Sequence, residues 1–192
     1  MITNNIRVYI TEACNAKCPN CFNKESRKDS YMDIERFTKL CVYLSENGGT
    51  QIKIMGGEPT IHPKFSEAMK IAQSHFQVVS LFTNSMSKVL LEFSPREADI
   101  ITYNFKFRRY FNEETLFLNF PGIRNLEIQV TPSVKKEKLF EEIFRIASLD
   151  RERIIPCFTL DCTANIFKDR DQIVPIYEYL ITQCRNEGIK FG

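Results

Sequence analysis

Three cysteines stand close together near the amino terminus, in the run Cys14-Asn15-Ala16-Lys17-Cys18-Pro19-Asn20-Cys21, with spacing C-x3-C-x2-C. Thiolates are soft ligands that suit zinc and iron–sulfur centres. Three of them in so short a loop can wrap one compact metal centre and leave one position open. A structural zinc site takes four ligands in a closed tetrahedron. The two histidines of the chain, His62 and His75, lie far from this loop. An iron–sulfur cluster with one open iron fits the count better. Two other readings use the same residues. Cys18-Pro19-Asn20-Cys21 has the spacing of a thiol–disulfide motif, or Cys18 and Cys21 could join Cys157 and Cys162 as a four-thiolate zinc site in a non-catalytic binding module. Each leaves Cys14 without a role.

Glycine gives a second cue. Only seven of 192 residues are glycine, and four of these form the pairs Gly48-Gly49 and Gly56-Gly57, against roughly 7% in an average chain. The second pair continues as Glu58-Pro59. Glycines let the backbone approach a ligand closely, and a carboxylate can accept hydrogen bonds from an ammonium.

The rest of the chain must position these groups. Apolar residues make up 43%, with sixteen Phe and seven Tyr, enough for a core without disulfides. Seven cysteines are an odd number, as expected of thiols or metal ligands in a reducing cytosol. Twenty-six Lys and Arg against 24 Asp and Glu give +2, which argues against a nucleic-acid partner and against an acidic disordered tract. No apolar run reaches the roughly 18 residues of a membrane span, and Met1 to Tyr9 is too polar for a signal peptide. The expectation is one domain over residues 1–192, cytoplasmic, with no membrane partner.

Short β-branched and aromatic runs alternate with amphipathic stretches. Strands are expected at Ile6 to Thr11, Gln51 to Met55, Val78 to Asn84, Asp99 to Lys106, Asn125 to Thr131 and Ile154 to Asp161, with Ile189 to Phe191 as the possible start of a seventh. The first helix carries Ile34, Phe37, Leu40, Cys41 and Leu44, with Ser30 and Asp33 as its capping pair. The second buries Phe65, Ala68, Met69 and Ala72; a weaker one spans Met86 to Phe93, and a short piece lies near Glu113 to Leu118. Ser133 is expected to cap a helix with Leu139, Ile143, Ile146 and Leu149. The last helix carries Ile173, Ile176, Leu180 and Cys184, with Pro175 tolerated only in its first turn. Six β–α units in series predict a parallel sheet. Several strands alternate, placing Arg7, Tyr9 and Thr11, then Thr102, Asn104 and Lys106, then Glu127, Gln129 and Thr131, then Cys157, Thr159 and Asp161 on one face. A curved parallel sheet with a polar concave face is a ligand cavity, and in such folds chemistry gathers at the carboxyl ends of the strands.

The C-x3-C-x2-C loop (12–24) after a first strand, followed by Gly56-Gly57-Glu58-Pro59 after a second, resembles the radical S-adenosylmethionine (SAM) superfamily. The resemblance implies a partial (β/α)6 TIM-like barrel, a curved parallel sheet with outer helices. It implies that Cys14, Cys18 and Cys21 hold a 4Fe–4S cluster whose open iron takes SAM. Reductive cleavage then yields a 5′-deoxyadenosyl radical that abstracts hydrogen from a peptide or small metabolite, with electrons from an external flavodoxin- or ferredoxin-type donor. A glycyl-radical-enzyme activase is the alternative within the family, though Phe22 stands near the third cysteine where such activases carry a histidine. Gly56, Gly57 and Glu58 would meet the SAM amino group, and Asn84, Asn104 and Gln129 its ribose and carboxylate. Many members place an aromatic just before the third cysteine, with its backbone on adenine; Asn20 holds that place here.

Cys157 and Asp161, sharing the sixth strand's polar face, are expected as substrate contacts. Cys41 and Cys184 fall on apolar helix faces. Phe105 to Phe111, FKFRRYF, interleaves aromatic and basic residues that could receive an acidic ligand, a peptide or a nucleobase. It is nevertheless expected to be a strand end running into a solvated loop, and His62 and His75 surface or helix-end residues. The end of the chain just past the sixth helix predicts that a partner, a second copy or a large substrate completes the open edge.

Overall fold

The computed structural model describes residues 6–18, 21, 28–112, 116–160 and 166–192. Six strands, β1 (Ile6–Thr11), β2 (Gln51–Gly56), β3 (Val78–Thr83), β4 (Ile100–Asn104), β5 (Ile123–Val130) and β6 (Ile154–Leu160), alternate with α1 (Ile34–Glu46), α2 (Phe65–His75), α3 (Lys136–Ala147) and α4 (Ile166–Asn186). All five pairings are parallel and follow chain order, β1-β2-β3-β4-β5-β6. The sheet is therefore open, with β1 and β6 at its edges. Among the described residues no helix is long and apolar enough to cross a membrane.

Period-2 and period-3.6 patterns meet in one core. Ile52 and Ile54 of β2, Val79 and Leu81 of β3, and Leu126, Ile128 and Val130 of β5 are buried on the helix-facing side. Against them pack Ile34, Phe37 and Cys41 of α1, and Phe65, Ala68, Met69 and Ala72 of α2. The opposite positions of β5, including Asn125, Glu127 and Gln129, are only half-buried. This is the expected polar concave face.

Several elements depart from expectation. After β3 and β4 the chain forms 3-10 turns (Lys88–Glu92 and Phe105–Tyr110), not α-helices. Pro95 and a positive φ of 57° at Ser85 interrupt the first of these connections, and Asn104 turns the chain early by capping the second through Lys106 N–H. Lys106 thus lies beyond β4. Leu116 and Phe117 lie in a turn, and residues 113–115 fall outside the described residues. Asp33 caps α1, accepting from Glu35 and Arg36 N–H at 3.0 Å each. Ser30 bonds Glu12 instead. Ser133 bonds the Thr131 hydroxyl, and α3 begins at Lys136 without a side-chain cap, leaving Leu149 beyond its end and exposed. Pro175 sits inside α4. Both Pro175 and Asp171, whose carbonyl loses its partner there, are exposed, so water can satisfy that group. Ile189 to Phe191 form no strand, but Gly192 donates to Pro156 O (2.9 Å) and accepts from Phe158 N–H (3.2 Å) along the β6 edge.

Candidate functional site

The cysteine loop begins at an irregularity. Tyr9 pairs with Met55, but Thr11, not Ile10, pairs with Gly56. Such a bulge re-aims the residues that follow it. Here it buries both Ile10 and Thr11, so Thr11 does not join Tyr9 on the concave face. The Thr11 hydroxyl accepts from Ala13 N–H (3.0 Å) and donates to Ser30 O (2.8 Å). Glu12 N–H also reaches Ser30 O, and Met32 N–H reaches Ile10 O (2.8 Å). The segment entering α1 thereby returns to the loop's start. His62 secures it. Its Nδ1 accepts from Lys64 N–H at 3.0 Å, which leaves Nε2 to donate to Met32 O at 2.9 Å. Of the surface or helix-end position expected of it, His62 takes the second: it caps the 3-10 turn Pro59–Ile61 and is buried.

The paired glycines serve this loop directly. Gly57 N–H donates to Thr11 O and Glu58 N–H to Ala13 O, both at 2.8 Å. A Cβ on Gly56 would lie 2.4 Å from Thr11 O, and one on Gly57 2.2 Å from Ala13 O. Neither is compatible with a side chain, because the clash is with backbone.

Glu58, 1% exposed, is held from four sides. Its Oε1 accepts from Thr60 N–H (3.2 Å) and the hydroxyls of Thr60 (2.6 Å) and Thr83 (2.8 Å), and its Oε2 from Asn84 N–H (2.6 Å). Burial pushes its pKa up, and these donors pull the other way. Asn84 continues the chain of contacts. Its Nδ2 donates to Asn15 Oδ1 at 2.8 Å and its Oδ1 accepts from Met86 N–H at 3.0 Å. The ends of β2 and β3 are thus locked to the residue that follows Cys14.

Cys14, Cys18 and Cys21, all half-buried, open on one cavity with Gly56, Gly57, Glu58 and Asn84. Thr102, Asn104, Lys106, Phe107, Glu127 and Gln129 line its other side. A cavity touched by both the loop after β1 and by β5 requires the sheet to curve around it. Among the described residues no three His, Cys, Asp or Glu side chains converge on a single-ion position. A cubane offers separate irons to separate thiolates, so its ligands need not meet at a point.

A family model described as the Radical SAM superfamily matches residues 8–106, the stretch from β1 past β4 that carries both motifs. This chain belongs to the radical SAM superfamily. Among curated relatives, GTP 3′,8-cyclase of Chlorobaculum tepidum is 31% identical over 70 residues, 36% of this chain and 21% of that protein. The subtilosin biosynthesis protein AlbA of Bacillus subtilis is 34% identical over 86 residues, 43% of this chain and 19% of that protein. The chain spans about a fifth of the length of these relatives. Streptococcus suis SuiB, solved with S-adenosylmethionine, superposes at a TM-score of 0.73 and 13% identity, covering 98% of this chain and 50% of that one. SuiB has also been solved with its precursor peptide SuiA. At that identity the likeness establishes the fold, the partial barrel of radical SAM proteins.

Within this radical SAM core, Cys14, Cys18, Cys21, Gly56, Gly57, Glu58, Asn84, Asn104 and Gln129 border one cavity. Asn20, Phe22, Asp161 and Cys162 lie outside the described residues. Cys157 pairs in register with Glu127 across β5 and β6 but does not border the cavity. Burial pushes its thiol pKa up, the Glu127 charge adds to this, and a Gly192 backbone hydrogen bond opposes it. Of FKFRRYF, Lys106 and Phe107 face the cavity while Arg108 pairs with Glu142. Asn15, His62 and Glu127 were not singled out for the site from the sequence. Glu127 could have been, since it is the one carboxylate on the alternating face of β5.

Proposed function

We propose that this chain is a radical SAM catalytic core acting on a peptide or a small metabolite. The supporting observation is the convergence of three thiols and the paired glycines on one cavity at the carboxyl ends of parallel strands. The donor set fits the group: three thiols on one loop suit a cluster with an open iron. Gly56 and Gly57, with no room for a Cβ against the backbone of Thr11 and Ala13, pack against the start of that loop. Cys14, Cys18 and Cys21 would hold a 4Fe–4S cluster. Such a cluster, reduced by an external flavodoxin- or ferredoxin-type donor, supplies the electron that splits SAM and yields the hydrogen-abstracting 5′-deoxyadenosyl radical.

The protein's own part is placement. Gly57 and Glu58 hold the loop through Thr11 and Ala13, while the Glu58 carboxylate and Asn84 fix the strand ends against Asn15. The resemblance gives Gly56, Gly57 and Glu58 the SAM amino group, and Asn84, Asn104 and Gln129 its ribose and carboxylate. The Glu58 carboxylate and the Asn84 amide are already bonded within the protein. We therefore assign the SAM contacts to the backbone of Gly56 to Glu58 and to Asn104, and leave Gln129 for another ligand. AlbA takes part in bacteriocin biosynthesis and SuiB binds a precursor peptide, which supports a peptide as the substrate.

The test is anaerobic reconstitution with iron and sulfide, reduction, addition of SAM and assay of 5′-deoxyadenosine together with iron. About four irons per chain and deoxyadenosine dependent on all three cysteines are expected. Bound zinc with indifference to SAM would move the assignment to a thiolate metal-binding module.

A further inference from the structure

The β4–β5 side of the cavity carries groups that cluster and cofactor placement leave unused. Glu127 lies in register with Asn104 on one side and Cys157 on the other, and it borders the cavity. No other described residue makes a hydrogen bond or an ion pair to its carboxylate. Burial pushes its pKa above the ordinary carboxylate range, and the Lys106 charge pulls it back. Two residues on, Gln129 Oε1 is buried without a hydrogen-bond partner. Glu58, in the same cavity, has four donors. Buried acceptors are normally satisfied. Gln129 Oε1 is unpartnered and shielded on a residue that lines the cavity, so a turn of its amide would present it to a ligand's donor.

The spacing narrows the ligand. Like-facing residues two apart on a strand are separated by about 6.7 Å, and an extended peptide repeats its like-facing N–H groups at the same interval. Lys106, exposed at the cavity, offers a donor for a carbonyl oxygen. We infer that Glu127 and Gln129 form a substrate subsite that receives amide N–H groups of an extended peptide, with Lys106 placed to meet a peptide carbonyl. This rests on the functional reading above and names the substrate chemistry of that cavity.

The test uses the full chain, reconstituted and saturated with SAM, so that the cofactor part of the cavity is filled before the peptide is added. The probes are acetyl-trialanine methylamide and its N-methylated counterpart, which lacks N–H donors, read by saturation-transfer NMR. The unmethylated peptide should bind wild type about tenfold more tightly. E127A should remove most of that preference, and E127Q, which keeps the shape and one acceptor oxygen, should retain more of it. Circular dichroism checks that both variants fold, and E127Q stands alone if E127A does not. Equal binding of the two peptides, binding of neither, or a preference undiminished in both variants would overturn the subsite. Iron content and SAM binding are measured on the same samples. Their absence in wild type overturns the cofactor reading alone, because the peptide comparison still reports on Glu127.

Discussion

The two sides of the cavity are built on opposite plans. On the β1–β3 side the polar groups are used up by the protein: Glu58 has four donors, and Asn84 spends its main-chain N–H and both amide groups on Glu58, Asn15 and Met86. On the β4–β5 side Gln129 Oε1 has no partner and Glu127 feels Lys106 only at a distance. One side is a rigid frame for the cysteine loop. The other is a set of vacant hydrogen-bonding groups. Rigidity is needed where a reactive centre must be held, and open valences where a ligand must be received.

The contrast predicts unequal responses to mutation. Cys18→Ala should have the largest effect, eliminating cluster assembly and 5′-deoxyadenosine formation while the far-ultraviolet circular dichroism stays unchanged. SAM cleavage by that variant would remove Cys18 from the ligand set. Glu58→Ala should lower unfolding free energy by about 3 kcal/mol, because it strands several buried donors. A denaturant titration measures it, and a loss under about 1 kcal/mol would show that the frame is looser than its hydrogen bonds imply. Asn15→Ala and Asn84→Ala should be coupled by about 1 kcal/mol in a double-mutant cycle; additivity would mean their contact carries no energy. Gln129→Leu should leave stability within about 0.5 kcal/mol of wild type, which sharpens the contrast with Glu58. Finally, Cys41 and Cys184, whose pKa values burial pushes up to about 12 and about 11, should resist alkylation in the native protein and react on unfolding. Rapid native labelling of either would place the open character in the core as well.

The sequence made much of this legible because strands and helices announce themselves by period. The buried set of α2 and the polar face of β5 follow directly from spacing. The two motifs also point to one cavity, since consecutive parallel strands end side by side. Tertiary competition was not legible. Ser30 and Asp33 both have capping chemistry, and only the return of the chain to β1 decides that Ser30 is taken by Glu12. Pro175 looked like a helix start because sequence does not reveal which side of a helix faces water. The Asn15–Asn84 contact spans 69 residues and has no local signature. The glycine pair suggested a ligand cradle, whereas its visible neighbours are the backbone of Thr11 and Ala13.

The long reach of Asn84 bears on how the site is born. During synthesis all three cysteines leave the ribosome before Gly57, Glu58 or Asn84 exists. Until β3 has emerged and docked, they are a loose trio of thiols on a nascent segment, since a contact across 69 residues must first overcome the entropy of closing that span. Chains stalled before residue 84 should capture iron and sulfide far less well than chains released beyond it. If the three cysteines hold a cluster, its insertion waits on the third strand, long after Cys21 has been made.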